Sequence, residues 1–176
     1  MEGNFQNQKE ALAASIEMEK KGYDFYTKTA QKSPNKNTQE VFTWLANEEL
    51  KHIEAIKRFY DNELSGDKSN FDEVIGGADP KQARAAIVKL FDSFEKNIPV
   101  DKEDLDALNF GRDFENRGEQ FYREAAEKAT DSDVKKLFNF LVEEERRHFR
   151  LIDDSMAFLE NPEEWFHRKE KWYVEG

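Results

Sequence analysis

Two Glu-x-x-His runs, Glu49–His52 and Glu145–His148, each follow a lone glutamate on an otherwise apolar stripe, Glu19 and Glu115. One offset relates the whole set, since 115 − 19, 145 − 49 and 148 − 52 all equal 96. Four carboxylates and two imidazoles repeated in register are the ligand set of a two-metal carboxylate site, in which inward-pointing Glu and Glu-x-x-His groups meet in a helical bundle. A single Glu-x-x-His is an ordinary i, i+3 surface pair with many chance occurrences. Two copies, each on a core stripe and each matched by an inward glutamate, are not. A closed tetrahedral zinc site would leave carboxylates over.

The stripes show how helices would position these groups. Val41, Leu45, Glu49, His52 and Ile56 step by three and four, as do Leu137, Leu141, Glu145, His148 and Ile152, so each set shares one helix face. Leu12, Ser15, Glu19 and Tyr26 form a third stripe, and Leu108, Gly111, Glu115 and Tyr122 a fourth. Each helix thus turns a carboxylate into an apolar seam near its midpoint. A buried carboxylate without a partner takes up a proton or unfolds its helix, so four together call for cations. Two divalent ions neutralise four glutamates. The spacing assigns Glu49 and Glu145 as bridging ligands, Glu19 with His52 to one ion, and Glu115 with His148 to the other.

Other groups surround this set. Tyr26 and Tyr122 each follow their glutamate by seven residues, two turns along the same face. They read either as phenols bonded to a ligand carboxylate or as ordinary core tyrosines. Glu48 and Glu144 precede the bridging glutamates, placed to accept from a ligand histidine or to lie solvated on the helix surface. Trp44 and Phe140 are repeat mates and read as interior packing, and His167 as surface. Trp165, Phe166, Trp172 and Tyr173 read as docking the last segment or forming a subunit contact.

The repeat extends beyond the ligands. Ala11-Leu12, Gly22, Phe25-Tyr26 and Ala30 match Ala107-Leu108, Gly118, Phe121-Tyr122 and Ala126, while Phe42, Leu45 and Ile56 match Phe138, Leu141 and Ile152. Periodicity predicts four long helices, over 8–32, 38–64, 101–129 and 132–160, with Thr38 as an N-cap and Gly66 just past an end. The crossover at 65–100, broken at Gly76-Gly77 and Asp79-Pro80, holds one short amphipathic helix over 83–96. Residues 1–160 then form one all-α domain, two duplicated helical hairpins packed as a four-helix bundle. Residues 161–176, opening on Asn161-Pro162, form a short C-terminal helix and tail that packs on the bundle or on a partner subunit.

Composition narrows the chemistry. The 176 residues contain no cysteine, which excludes thiolate zinc, iron–sulfur clusters and cysteine nucleophiles, leaving a metal to oxygen and imidazole nitrogen. A formal charge of −11 argues against nucleic acid or an anionic membrane as partner. The 15 Phe argue for a packed interior despite 37% charged residues. No apolar run is long enough to span a membrane and no signal core opens the chain, so the sequence reads as cytoplasmic.

The runs Ile16-Glu17-Met18-Glu19-Lys20-Lys21-Gly22-Tyr23-Asp24-Phe25-Tyr26, Glu48-Glu49-Leu50-Lys51-His52 and Glu144-Glu145-Arg146-Arg147-His148 resemble the rubrerythrin branch of the ferritin-like di-iron proteins, across nearly the whole chain. The resemblance implies a ferritin-like bundle holding two iron ions, with manganese or a mixed pair as the alternative. It also implies a homodimer or larger homo-oligomer that reduces hydrogen peroxide, with dioxygen as a slower oxidant. An external electron donor such as a rubredoxin would resupply it. Rubrerythrins proper carry a rubredoxin-like domain on four cysteines, absent from these residues. They also place a further carboxylate where this chain has Gly118, with Glu119 beside it turned away. Ferroxidase or iron-storage activity and a di-manganese catalase-like reaction are the competing expectations.

Overall fold

A computed structural model describes residues 5–76, 80–96 and 98–167 and is helical throughout its regular structure. The order is α1 (Gln8–Lys32), α2 (Lys36–Ser65), α3 (Phe71–Ile75), α4 (Pro80–Asp92), α5 (Lys102–Lys128) and α6 (Ser132–Glu160), with residues 162–167 beginning a further helical turn. Three-residue connections fold α1 against α2 and α5 against α6 as antiparallel hairpins. The hairpins pack face to face in a ferritin-like four-helix bundle.

Helix ends follow side-chain chemistry. Asn35 and Asp131, related by the repeat, cap α2 and α6 by accepting from the first-turn amides of Thr38 and of Asp133 and Val134. Asn35, not Thr38, is therefore the cap of α2, and the helix begins two residues earlier than the pattern predicts. Gly66 ends α2 at φ 79°, a left-handed conformation that costs glycine nothing.

The crossover differs most from the sequence reading. It contains two helices rather than one: α3, capped by Asn70, and α4, which starts at Pro80 and stops at Asp92 instead of running over 83–96. Proline at a first helical position loses no intrahelical hydrogen bond, which is why the helix opens there. Polar pins fix the crossover's far end. Asn37 exchanges two 2.9 Å hydrogen bonds with the Glu95 backbone, and Asn35 Nδ2 donates to the Pro99 carbonyl at 3.1 Å. Ser33 Oγ donates to buried Asp104 at 2.5 Å, tying the first hairpin loop to α5.

The core is continuous and near two-fold symmetric. Tyr26 lies over Phe42 at 5.6 Å between centroids, and its repeat mate Tyr122 over Phe138 at 6.1 Å. Leu12, Leu45, Ile56, Leu108, Leu141 and Ile152 are completely buried, each worth about 1.5–3 kcal/mol of apolar transfer. Trp165 in the tail is buried against Phe91 and Phe158 of its own chain, while Trp172 and Tyr173 lie outside the described residues. His167 is exposed. Among the described residues no helix is long and apolar enough to cross a membrane.

Candidate metal centre

The four long helices bring Glu19 (α1), Glu49 and His52 (α2), Glu115 (α5), and Glu145 and His148 (α6) to one point at mid-bundle, each between 0 and 3% exposed. His52 Nδ1 lies 3.2 Å from Glu19 Oε2 and 4.0 Å from Glu145 Oε1. His148 Nδ1 lies 3.5 Å from Glu115 Oε2 and 3.6 Å from Glu49 Oε1. Each imidazole thus faces the lone glutamate of its own hairpin and the Glu-x-x-His glutamate of the other. The two rings stack at 5.3 Å with 16° between planes. Glu19, Glu49 and His52 present ligand-type atoms within 4.8 Å of one another, and so do Glu49, Glu115 and His148. Glu49 belongs to both groups, which is where a bridging carboxylate belongs.

Glu49 Oε1, Glu115 Oε2, Glu145 Oε1 and both ring nitrogens of His148 are buried with no hydrogen-bond partner. Orphaned polar atoms at the centre of a bundle cost about 1–3 kcal/mol each. Converging from α2, α5 and α6, with Glu19 of α1 beside them, they have the oxygen–nitrogen chemistry that two hard or borderline divalent ions require. The residues present fit a di-metal group.

Electrostatics without ions carry the same signature. Burial and then the charge of neighbouring Glu19 push Glu49 well above the usual carboxylate range. Burial and the charges of Glu115 and Glu19 do the same to Glu145. Glu19 goes the other way, down to about 2: burial opposes the drop, but the Glu49 hydrogen bond and the His52 charge outweigh it. His52 is raised, its burial more than offset by Glu19. Carboxylates crowded together separate into proton holders and charge holders, and bound cations relieve the conflict.

The surrounding groups divide. Tyr26 Oη donates to Glu115 Oε1 and Tyr122 Oη to Glu19 Oε1, each phenol crossing to the opposite hairpin. Burial first, then the cluster's negative charge, pushes both phenols well above 10, so they remain donors. Glu48 and Glu144 part company despite their repeat relationship. Glu144 is buried beside His52 and His148, with Arg147 Nη1 donating to it at 2.5 Å. Glu48 is partly exposed and paired with Lys51 at 2.6 Å. Neither is hydrogen-bonded to a histidine. Trp44 and Phe140 are half-buried and line a cavity beside the site rather than the bundle interior, with Trp44 edge-on to His148 at 5.7 Å.

Two glycines that the sequence reading leaves without a positive role seat the carboxylates of Glu49 and Glu145. A Cβ built on Gly118 runs into Glu145 Oε2, with Cδ at 3.0 Å. One on Gly22 meets Phe114 Cε1 at 2.9 Å and Glu49 Cδ at 3.2 Å. Gly118 therefore holds Glu145 in the space a larger residue would fill. The signal was available, because Gly22 and Gly118 keep the ligand offset. Glu119 points away from the cluster, held by Arg123 at 2.5 Å and Arg146 at 2.8 Å.

An antiparallel bundle of duplicated hairpins enclosing buried Glu and His clusters defines the class of ferritin-like di-metal carboxylate proteins. The rubrerythrin family profile matches residues 10–156 and, separately, 106–175. The chain belongs to the rubrerythrin family. The second match begins inside α5 and runs through α6, in keeping with a hairpin that carries half of the clustered Glu and His residues. No curated protein and no solved structure matches it. With no cysteine among the 176 residues, no rubredoxin-type four-cysteine iron site can form from them.

Proposed function

We propose that the chain is a non-haem di-iron oxidoreductase that reduces hydrogen peroxide, with Glu19, Glu49, His52, Glu115, Glu145 and His148 as the ligands of two iron ions. The observation that carries this reading is the convergence of buried carboxylate and imidazole groups from four helices in two overlapping groups, several of their atoms without a hydrogen-bond partner. When bound, two ferrous ions supply one electron each to peroxide, which takes up two protons and leaves as two waters.

The chain's own residues do the rest. Glu49 and Glu145, each facing the histidine of the opposite hairpin, would hold the ions between the two halves. Tyr26 and Tyr122 pin Glu115 and Glu19 in single orientations by charge-assisted hydrogen bonds. The apolar residues along the seam exclude bulk water, which strengthens every charge interaction inside. An external donor such as a rubredoxin returns the electrons, and the protein works as a homodimer or larger homo-oligomer.

The test is stopped-flow oxidation of the anaerobically reduced, iron-loaded protein. Peroxide should oxidise it faster than dioxygen. Dioxygen outpacing peroxide would replace this reading with an oxidase or ferroxidase, and donor-free oxygen evolution from a manganese-loaded sample would replace it with a catalase-type reaction.

A further inference from the structure

A half-open cavity of about 550 Å³ adjoins the centre on its α2/α6 side, walled by both helices and flanked by the crossover helices α3 and α4. Of the six cage residues only His52 lines it. Toward α1 and α5 the cage is backed by Tyr26 and Tyr122, both 0% exposed. An ion arriving from water on that side would have to pass through packed core.

Between cavity and cage, His52, Glu144 and His148 form a third group whose ligand-type atoms lie within 4.8 Å of one another. Glu144 is no member of the cage, yet it is only 4% exposed. His148 is 0% exposed, and its Nδ1 faces Glu49 and Glu115. Its Nε2, on the far side of the ring, has no hydrogen-bond partner. A buried, unpaired imidazole nitrogen, beside a second imidazole and a buried carboxylate that both line the cavity, has the donor set of a borderline divalent cation.

We propose that His52, Glu144 and His148 form an outer transit site, which receives a divalent cation from the cavity and passes it into the cage. This rests on the metal-binding reading above. A neutral imidazole has one free lone pair, so a ring bound to an inner ion through Nδ1 carries its proton on Nε2. Outer and inner sites therefore compete for the same two histidines, and the outer one is used only while the cage is filling. The rest of the wall carries Glu48 and Glu54 against Lys51, Arg58 and Arg147, so capture of the cation rests on the three buried groups and not on a net field of the wall. Arg147 holds Glu144 until an arriving ion displaces the guanidinium. The site is one-sided: Glu48, the repeat mate of Glu144, is paired with Lys51 and joins no such group.

The experiment mixes metal-free full-length protein with cobalt(II) and follows the ligand-field absorption by stopped flow. Glu144→Gln should slow loading by about tenfold or more while two ions and the wild-type spectrum are still reached at equilibrium. Ala86→Trp fills the cavity without touching a ligand and should slow loading as well, so it decides the matter if Glu144→Gln fails to fold. Wild-type loading rates in both variants would overturn the transit site and leave the cage standing. Loss of an ion at equilibrium in Glu144→Gln would also overturn it, by making Glu144 a cage ligand. A wild-type protein that takes up no cobalt would overturn the cage, and the transit site with it.

Discussion

Gly118→Ala separates the stability of the bundle from the stability of the metal centre. The added Cβ lands on Glu145 Oε2, with Cδ at 3.0 Å and Cγ at 3.4 Å, so the carboxylate must leave its seat. In metal-free protein two effects oppose. Alanine is about 1 kcal/mol better than glycine inside a helix, and forced overpacking costs about 1–3 kcal/mol. The metal-free variant should thus lie between unchanged and about 2 kcal/mol weaker. With metal bound, a displaced Glu145 costs about 10–100-fold in affinity, which is about 1.4–2.7 kcal/mol of ligand stabilisation. For a chain of this size 1 kcal/mol is about 2–4 °C, so the metal-induced rise in Tm should shrink by about 3–11 °C.

The assay is calorimetry on chelated and metal-loaded samples of the variant beside two controls. Gly111→Ala meets Ile152 Cδ1 at 3.3 Å and the ring edges of Tyr26 and Phe42 at 3.4 and 3.5 Å, with no carboxylate among its nearest contacts, and should keep most of the metal increment. Gly22→Ala should fall between, because its closest contact is the edge of the Phe114 ring and Glu49 stands further off at 3.2 Å. A full metal-induced rise in Gly118→Ala would refute the claim that this glycine seats a ligand.

Three further outcomes are expected. Glu49→Ala removes the residue common to two ligand groups, whereas Glu19→Ala touches one, so metal analysis should find both ions depleted in the first and one in the second. Tyr26→Phe and Tyr122→Phe each delete a charge-assisted hydrogen bond worth about 1.5–3 kcal/mol, and titration calorimetry should register weaker metal binding, by about tenfold or more. The metal-free protein should show an inverted pH profile. Glu49 and Glu145 sit above the ordinary 4.5 and His52 above 6.5, so the native state retains protons that the unfolded chain releases, and stability falls as pH rises through that range. Glu19, held at about 2, contributes stability above 4.5 that is lost as pH drops toward 2. Urea midpoints with chelator present should therefore be higher near pH 5 than at pH 7.5, and saturating metal should reverse the order; a midpoint that climbs with pH in the metal-free protein counts against a crowded carboxylate cluster.

The four long helices and the six clustered residues were legible because burial of charge leaves a mark that periodicity exposes. Glutamate and histidine occupy positions that the helical step reserves for leucine and isoleucine, and the offset of 96 repeats each of those exceptions. The same offset also carries Asn35 to Asp131, two N-caps, and Gly22 to Gly118, two carboxylate seats. The duplication misleads where the chain has a feature in one copy only. Among the described residues the crossover is such a feature: α3 packs against α2 and α6 and, with α4, helps line the cavity beside the site. Residues related by the repeat consequently meet different surroundings. Glu48 and Glu144 precede the same motif and are followed three residues later by a cation, Lys51 or Arg147, yet one is buried beside the histidines and the other is partly exposed. A five-residue helix such as α3 is too short for periodicity to detect, so the sequence placed the crossover but not the side of the bundle it covers. An ordered metal-loading path needs one side of the metal pair to differ from the other, and among the described residues α3 and α4, lining the cavity on the α2/α6 side, supply such a difference.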